Sequence, residues 1–148
     1  MQCVGLHAIE GNGGSSDSRT MKVAGTVYLK QGMTVSVHVY SDKDTSFFVE
    51  TRSGLSCHQF GPDKSTCSWN QPATLANCAT NTGFGAMLKA KQNKGKGWKE
   101  VTNFRTTGMG GALYNSRKQF DPNKGRFNAK SYGTYLCSVQ LRLDGAAR

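Results

Sequence analysis

Residues 133–143 read Gly-Thr-Tyr-Leu-Cys-Ser-Val-Gln-Leu-Arg-Leu, the clearest strand pattern in the chain. Every second position from Tyr135 to Leu143 is apolar or aromatic, and the positions between are mainly polar. A period of two indicates a β-strand with one buried face. The segment ends at Asp144-Gly145, a turn dipeptide. A long, half-buried strand is therefore predicted here.

The same alternation occurs in residues 33–40, Met-Thr-Val-Ser-Val-His-Val-Tyr, where Tyr40 falls on the polar face. Residues 25–30 precede it and are rich in β-branched and aromatic side chains. The dipeptide Gln31-Gly32 between the two segments is a tight-turn signal. The pattern predicts a hairpin of these two strands.

Length and composition favour one all-β domain over residues 1–148. Eighteen glycines among 148 residues exceed the average usage of roughly 7%, and 148 residues suit a single core. No window shows helical spacing with caps, while short strands alternate with frequent turns. This organisation predicts an antiparallel sandwich or jelly roll.

The charge balance limits the classes of partner. Nineteen Lys and Arg against nine Asp and Glu give a net charge of +10, which favours polyanions, acidic glycans or acidic protein surfaces. No run of 18 or more apolar residues occurs, so a membrane-spanning helix is not expected. The first ten residues lack the pattern of a secretory signal, which was either removed or never present.

The second half of the chain carries a spaced set of eight residues: Met109, Asn115, Phe120, Phe127, Gly133, Tyr135, Cys137 and Val139. This spacing resembles the signature of the complement C1q-like globular domain, a branch of the tumour-necrosis-factor-like jelly rolls. The family usually has an aromatic residue where Met109, Cys137 and Val139 stand here. The resemblance implies that the eight residues serve the fold rather than catalysis.

The first part of the chain resembles the opposite half of the same family. Residues 24–32 resemble the strand and turn before a long alternating strand, and residues 53–55 resemble the closing strand. Residues 1–60 thus look like the C-terminal half of the domain and residues 84–148 like its N-terminal half, with 61–83 as a connector.

This reversed order predicts a circularly permuted C1q-like jelly roll that lacks one strand or borrows one. A permutation is physically reasonable because the termini of domains often lie close together at the surface. The alternative is a slice across two tandem copies, in which each half completes its partner on another molecule.

Five cysteines in a short all-β chain suggest an oxidising, extracellular location. The resemblance places Cys57 and Cys137 on neighbouring strands and so implies a bridge between them. Cys67 and Cys78 would then close the connector, and Cys3 would remain unpaired. The alternative is five reduced thiols. Zinc is disfavoured because no Cys-x-x-Cys pair occurs.

Residues 89–105 form the strongest local charge feature, and a ligand-binding basic loop is predicted there: Lys89, Lys91, Lys94, Lys96, Trp98, Lys99 and Arg105. Such a loop suits sulphated glycans or anionic cell surfaces. The alternatives are a solvated lysine loop and a Trp98 that packs in the core. Nucleic acid is disfavoured because no recognised binding module is present.

Asp42 and Asp44 offer two carboxylates to calcium on one turn, and a solvated turn is the alternative. No other cofactor is indicated. No paired acid and base, activated nucleophile or cofactor motif stands out, so an enzyme is not expected.

The resemblance implies a secreted binding module that assembles as a homotrimer. A lectin-like or pattern-recognition protein for glycans or protein surfaces is the favoured function. A cytokine-like receptor ligand or an extracellular-matrix component is the alternative.

Overall fold

A computed structural model describes residues 19–41, 47–59, 83–108, 113–130 and 133–145. Within these ranges the chain is all-β, and its strands pair antiparallel. The strands are β1 (Arg19–Leu29), β2 (Thr34–Ser36), β3 (His38–Ser41), β4 (Phe47–Val49), β5 (Gly54–Gln59), β6 (Gly83–Leu88), β7 (Gln92–Lys94), β8 (Gly97–Glu100), β9 (Phe104–Arg105), β10 (Tyr114–Asn115), β11 (Phe120–Asp121), β12 (Arg126–Asn128) and β13 (Gly133–Gly145). A short 3-10 helix, Ser116–Lys118, follows β10.

The long strand predicted over residues 133–143 is the centre of the large sheet. One side of β13 pairs with β1, and the other side pairs first with β5 and then with β4. The order β10-β6-β5-β13-β4-β7 continues outward, with β1 beside β13 and β9 beside β6. Strand β5 therefore lies between two strands that come from the second half of the chain.

The hairpin predicted from residues 25–30 and 33–40 is wrong. Strand β1 pairs with β13 in the large sheet, whereas β2 pairs with β12 in a three-stranded sheet. Gly32, with a φ of +89°, donates its N–H to the carbonyl of Ala129 at 2.7 Å. The turn is thus real, but it carries the chain from one sheet to another because it bonds to a distant segment.

The second layer consists of two small sheets. One has the order β11-β12-β2, and the other pairs β3 with β8. Strands β2 and β3 are separated by Val37, whose carbonyl accepts the N–H of Val101 at 2.9 Å. The alternation predicted over residues 33–40 persists across the break, because Val37 and Val39 are buried and Tyr40 is exposed.

The core lies where the large sheet faces the three-stranded sheet. The ring of Phe84 on β6 stacks on Phe120 at a centroid distance of 4.1 Å and on Phe127 at 5.1 Å. Tyr135 on β13 meets Phe127 edge to face at 5.7 Å. All four rings are at most 1% exposed. Their burial joins the two layers and supplies much of the apolar area removed from water.

The turn between β4 and β5 is fixed to its neighbours by one buried hydroxyl residue. Ser53 is fully buried, and its Oγ accepts the backbone N–H of Arg142 at 2.9 Å. Its carbonyl accepts the N–H of Leu88 on β6 at 2.9 Å. Because buried polar groups need such partners, Ser53 holds β6 and β13 to this turn.

Candidate functional site

The described residues of the C1q-like spacing lie in the core or make contacts between strands. Phe120, Phe127 and Tyr135 belong to the core described above. The Asn115 side chain donates to the carbonyl of Phe120 at 2.7 Å and accepts its N–H at 3.1 Å, which ties β10 to β11. Val139 is half-buried against the core. Met109 lies outside the described residues.

Gly133 of the same set stands where a larger residue would force the Gln59 side chain to shift. A Cβ atom at this position would lie 2.5 Å from Nε2 of Gln59, whose side chain is buried on the neighbouring strand β5. Glycine allows that close approach because it has no side chain.

Cys57 and Cys137 form a disulfide bond, the pairing that the family resemblance implies. The two residues are direct cross-strand partners on β5 and β13, with a Cα–Cα distance of 4.1 Å. The bridge spans 80 residues of sequence and is buried, which joins the first and second parts of the chain within the large sheet. The proposed Cys67–Cys78 bridge and Cys3 lie outside the described residues.

The basic loop carries the chain from one sheet to another. We call residues 92–100 the β7–β8 hairpin after the turn that joins the two strands, which pair with different sheets rather than with each other. Strand β7 pairs with β4 in the large sheet, whereas β8 pairs with β3 in the two-stranded sheet. The side chain of Gln92 donates to the carbonyl of Thr102 and accepts its N–H at 3.3 Å. The hairpin is thereby held by side-chain bonds to the backbone rather than by a ladder between β7 and β8.

Lys94 has a structural role in this hairpin. Its Nζ donates to the carbonyl of Glu100 at 2.8 Å. Partial burial lowers the pKa of Lys94, because desolvation disfavours the ammonium form. This lysine therefore stabilises the hairpin from within.

Lys91 is also engaged within the protein. Its Nζ lies 3.1 Å from the Glu50 carboxylate and 4.3 Å from the centroid of the Phe48 ring. The pKa of Glu50 lies below its usual range. The main cause is a hydrogen bond with Asp144, and the second is the contact with Lys91. The same carboxyl–carboxyl hydrogen bond raises the pKa of Asp144. Lys91 thus belongs to a local charge cluster at the end of β13.

The remaining basic residues fall into two places. Lys89 and Arg105 are exposed where β6 pairs with β9. Lys96 lies between β7 and β8, and Lys99 is exposed on β8. The charge run in the sequence is therefore divided, and its hairpin part lies beside Trp98.

Trp98 is 65% exposed, so the expectation that it packs in the core is wrong. Its direct cross-strand partner is Tyr40 on β3, itself 57% exposed. The two rings lie 5.1 Å apart between centroids with an interplanar angle of 43°. We call this the aromatic pair. It forms a continuous outward apolar surface on the two-stranded sheet.

An ion pair follows the aromatic pair on the same face. Glu100 lies two residues after Trp98 on β8, and such positions share a face about 7 Å apart. Both carboxylate oxygens of Glu100 accept N–H groups of Arg126, at 2.7 and 2.9 Å. This hydrogen bond is the main cause of the lowered pKa of Glu100, with further contributions from His38 and Lys94. These two contacts orient the guanidinium, which keeps further N–H groups for other acceptors.

The described residues contain neither a candidate membrane-spanning helix nor a metal-binding cluster. Across the described ranges no helix is long and apolar enough to cross a membrane. The same ranges contain no group of three or more His, Cys, Asp or Glu residues arranged to hold a metal ion. The predicted calcium ligands, Asp42 and Asp44, lie outside those ranges.

The comparisons with protein-family models, curated proteins and solved structures gave no match. The function is therefore inferred from the residues of the site.

Sequence reasoning found Trp98 and missed three members of its surroundings. The alternation in residues 33–40 predicts that Tyr40 lies on the polar face of its strand. An aromatic residue on that face could have indicated a binding surface. Glu100 and Arg126 are 26 residues apart in sequence. No local pattern links them, because their contact arises only when β8 and β12 occupy the same layer.

Proposed function

We propose that this chain is a secreted, non-enzymatic binding module of the C1q/TNF-like jelly-roll type. The pairing of β5 with β13 and the Cys57–Cys137 bridge support this assignment, because the resemblance implied both. The burial of Phe120, Phe127 and Tyr135 supports it further. A disulfide also suits an oxidising compartment.

The order of the strands supports a circular permutation. Strand β5, from the half that resembles the end of the family domain, lies between β6 and β13, from the half that resembles its beginning. The two halves meet within one chain, which favours permutation over a slice across tandem copies.

We propose that the module recognises glycans, in the manner of a lectin or pattern-recognition protein, through the β7–β8 hairpin. The observation that carries this proposal is the exposed aromatic pair beside the basic residues of the hairpin. Contiguous exposed apolar surface often marks a binding site. Flat rings and nearby hydrogen-bonding groups suit a sugar face and its hydroxyl groups.

A glycan array probed with the labelled full chain tests this function. We expect binding to a restricted set of glycans that weakens as the salt concentration rises, because the hairpin is basic. A matched sample unfolded by heat and reductant serves as the control. Absence of binding to every glycan by the folded protein would contradict the function.

Assembly as a homotrimer is part of the proposal. The outward face of the large sheet exposes Tyr28 to 60% and Leu136 to 46%, and these lie on neighbouring strands β1 and β13. Light scattering should give about 48 kDa, three times 16.0 kDa. A Leu136→Glu variant should lower that mass to the monomer value. A wild-type monomer would contradict the trimer.

The same apolar surface favours a second candidate function, a receptor ligand or matrix component that binds protein. If the wild type is monomeric and Leu136→Glu abolishes capture of an extracellular protein while glycan binding is absent, this second function replaces the first.

A further inference from the structure

We infer that the aromatic pair and the Glu100–Arg126 ion pair together form a subsite for an acidic saccharide, one that carries sulphate or carboxylate groups. This inference rests on the proposed glycan-binding function and specifies its ligand. It assigns roles to Tyr40 and Arg126, which lie outside residues 89–105, and to Glu100, which lies inside that range but is not among the predicted ligand-binding residues.

The shape of the surface favours a sugar ring over a point charge. Tyr40 and Trp98 expose 57% and 65% of their surface and are tilted by 43°, so they form a shallow apolar platform. The axial C–H groups of a pyranose present an apolar face of comparable width. Stacking on such rings removes apolar surface from water on both partners.

Polar groups lie where the substituents of a stacked ring would reach. Glu100 is two residues along β8 from Trp98, and His38 is two residues along β3 from Tyr40. Glu100 and His38 are direct cross-strand partners. The carboxylate of Glu100 fixes Arg126, whose side chain is 52% exposed. The guanidinium can therefore donate to a ligand oxygen without reorganising first.

The local charge selects an acidic saccharide over a neutral one. Glu100 is the one acidic residue of the hairpin and is already neutralised by Arg126. Lys94 and Lys96 lie in the same hairpin, Lys99 lies on the opposite face of β8 from Trp98, and the full chain has a net charge of +10. A ligand that approaches the aromatic pair thus enters a positive field, which raises its association rate and affinity if it is anionic.

The test uses the full chain and three probes: size-fractionated heparin as a sulphated saccharide, uncharged dextran, and inorganic polyphosphate as an anion without sugar rings. We expect wild-type protein to bind heparin more tightly than dextran. Trp98→Ala and Tyr40→Ala should each weaken heparin binding about tenfold, as expected for a central aromatic contact. Polyphosphate binding should stay within about twofold of wild type, because it depends on charge alone.

Matched controls separate the subsite from general effects. Thr51→Ala removes an exposed side chain from the turn between β4 and β5, away from the proposed trimer surface, and should leave heparin binding unchanged. Arg126→Lys keeps the charge but loses the planar donor geometry, and it should weaken heparin binding while leaving polyphosphate binding nearly intact. Lys22→Gln on β1 controls for the loss of one exposed positive charge.

A second measurement leaves the aromatic pair and the ion pair unchanged. In a Trp69→Phe background, Trp98 is the remaining tryptophan. Its fluorescence should change on titration with heparin and stay constant with polyphosphate. A constant signal with both probes, despite heparin binding, would overturn the stacking role.

The outcomes distinguish the inference from the function on which it rests. If the wild type binds no saccharide, both fail. If it binds heparin but Trp98→Ala binds equally well, the glycan-binding function stands and the subsite is wrong. Equal affinity for dextran would overturn the acidic ligand. A Trp98-dependent preference for polyphosphate over heparin would overturn the saccharide class.

Discussion

Two pairs of aromatic rings in this protein have the same centroid separation of 5.1 Å and opposite surroundings. Phe84 and Phe127 face each other between the two layers, and both are fully buried. Tyr40 and Trp98 face each other on the two-stranded sheet, and both are more than half exposed. Ring contact alone therefore does not define a role. The layer that covers a pair decides whether it stabilises the fold or is available to a ligand.

Removing a ring from the core should have the largest effect on stability. Phe84→Ala should lower the free energy of unfolding by about 3 to 5 kcal/mol, because it leaves a cavity between the layers. Urea denaturation followed by circular dichroism measures the change. Thr51→Ala, in the exposed turn between β4 and β5, is the control and should change stability little. A loss below about 1 kcal/mol for Phe84→Ala would show that the large sheet does not pack on the three-stranded sheet.

The buried disulfide links strands β5 and β13 covalently. Replacing both Cys57 and Cys137 by alanine should destabilise the protein by about 4 kcal/mol in the chain-entropy account, given a sequence separation of 80. Denaturation of the wild type with and without reductant measures how much the bridge contributes to stability. Wild-type stability that does not respond to reductant would mean that the bridge contributes nothing.

The exposed pair should behave in the opposite way. Tyr40→Ala and Trp98→Ala should each cost only about 0.2 to 1 kcal/mol, the usual contribution of a cross-strand side-chain pair. The same denaturation experiment applies, with Phe84→Ala as the reference. A decrease in the free energy of unfolding as large as that of Phe84→Ala would mean that the aromatic pair stabilises the fold. The proposed binding site would then lose its basis.

The smallest expected effect concerns the ion pair beside the aromatic pair. The pKa of Glu100 is lowered in the folded protein relative to 4.5, mainly by Arg126. Its contribution to stability is therefore present above the ordinary glutamate pKa and is lost as the pH falls through the lower folded value. The difference between wild type and Glu100→Gln should be measurable near neutral pH and vanish in acid. A difference that grows as the pH falls would contradict the assignment.

Much of the local structure was predictable from the sequence. The alternation in residues 133–143 and 33–40 correctly predicted strands and which side chains face inward. The turn at Gly32 was also predicted, but the hairpin was not formed. A turn signal describes how the chain reverses over a few residues, and it does not specify which strand each arm pairs with.

The candidate site was predictable in part. The basic run and Trp98 are visible in the sequence, yet the structure divides the run and assigns Lys91 and Lys94 to internal contacts. Tyr40 and Arg126 join the site through β3 and β12, which are far from Trp98 along the chain. A run of basic residues shows only which residues are close in sequence. A binding surface depends on which strands lie side by side in the fold.

The sequence by itself determined the all-β class, the inward and outward faces of the main strands and the positive charge, because periodicity and composition are local properties. Only the tertiary structure decided that β5 lies between β6 and β13, that Cys57 is opposite Cys137, and that Trp98 is exposed beside Tyr40. These features depend on strand pairing across long sequence separations. The free energy of burying the shared aromatic core selects that pairing, and no single segment encodes it.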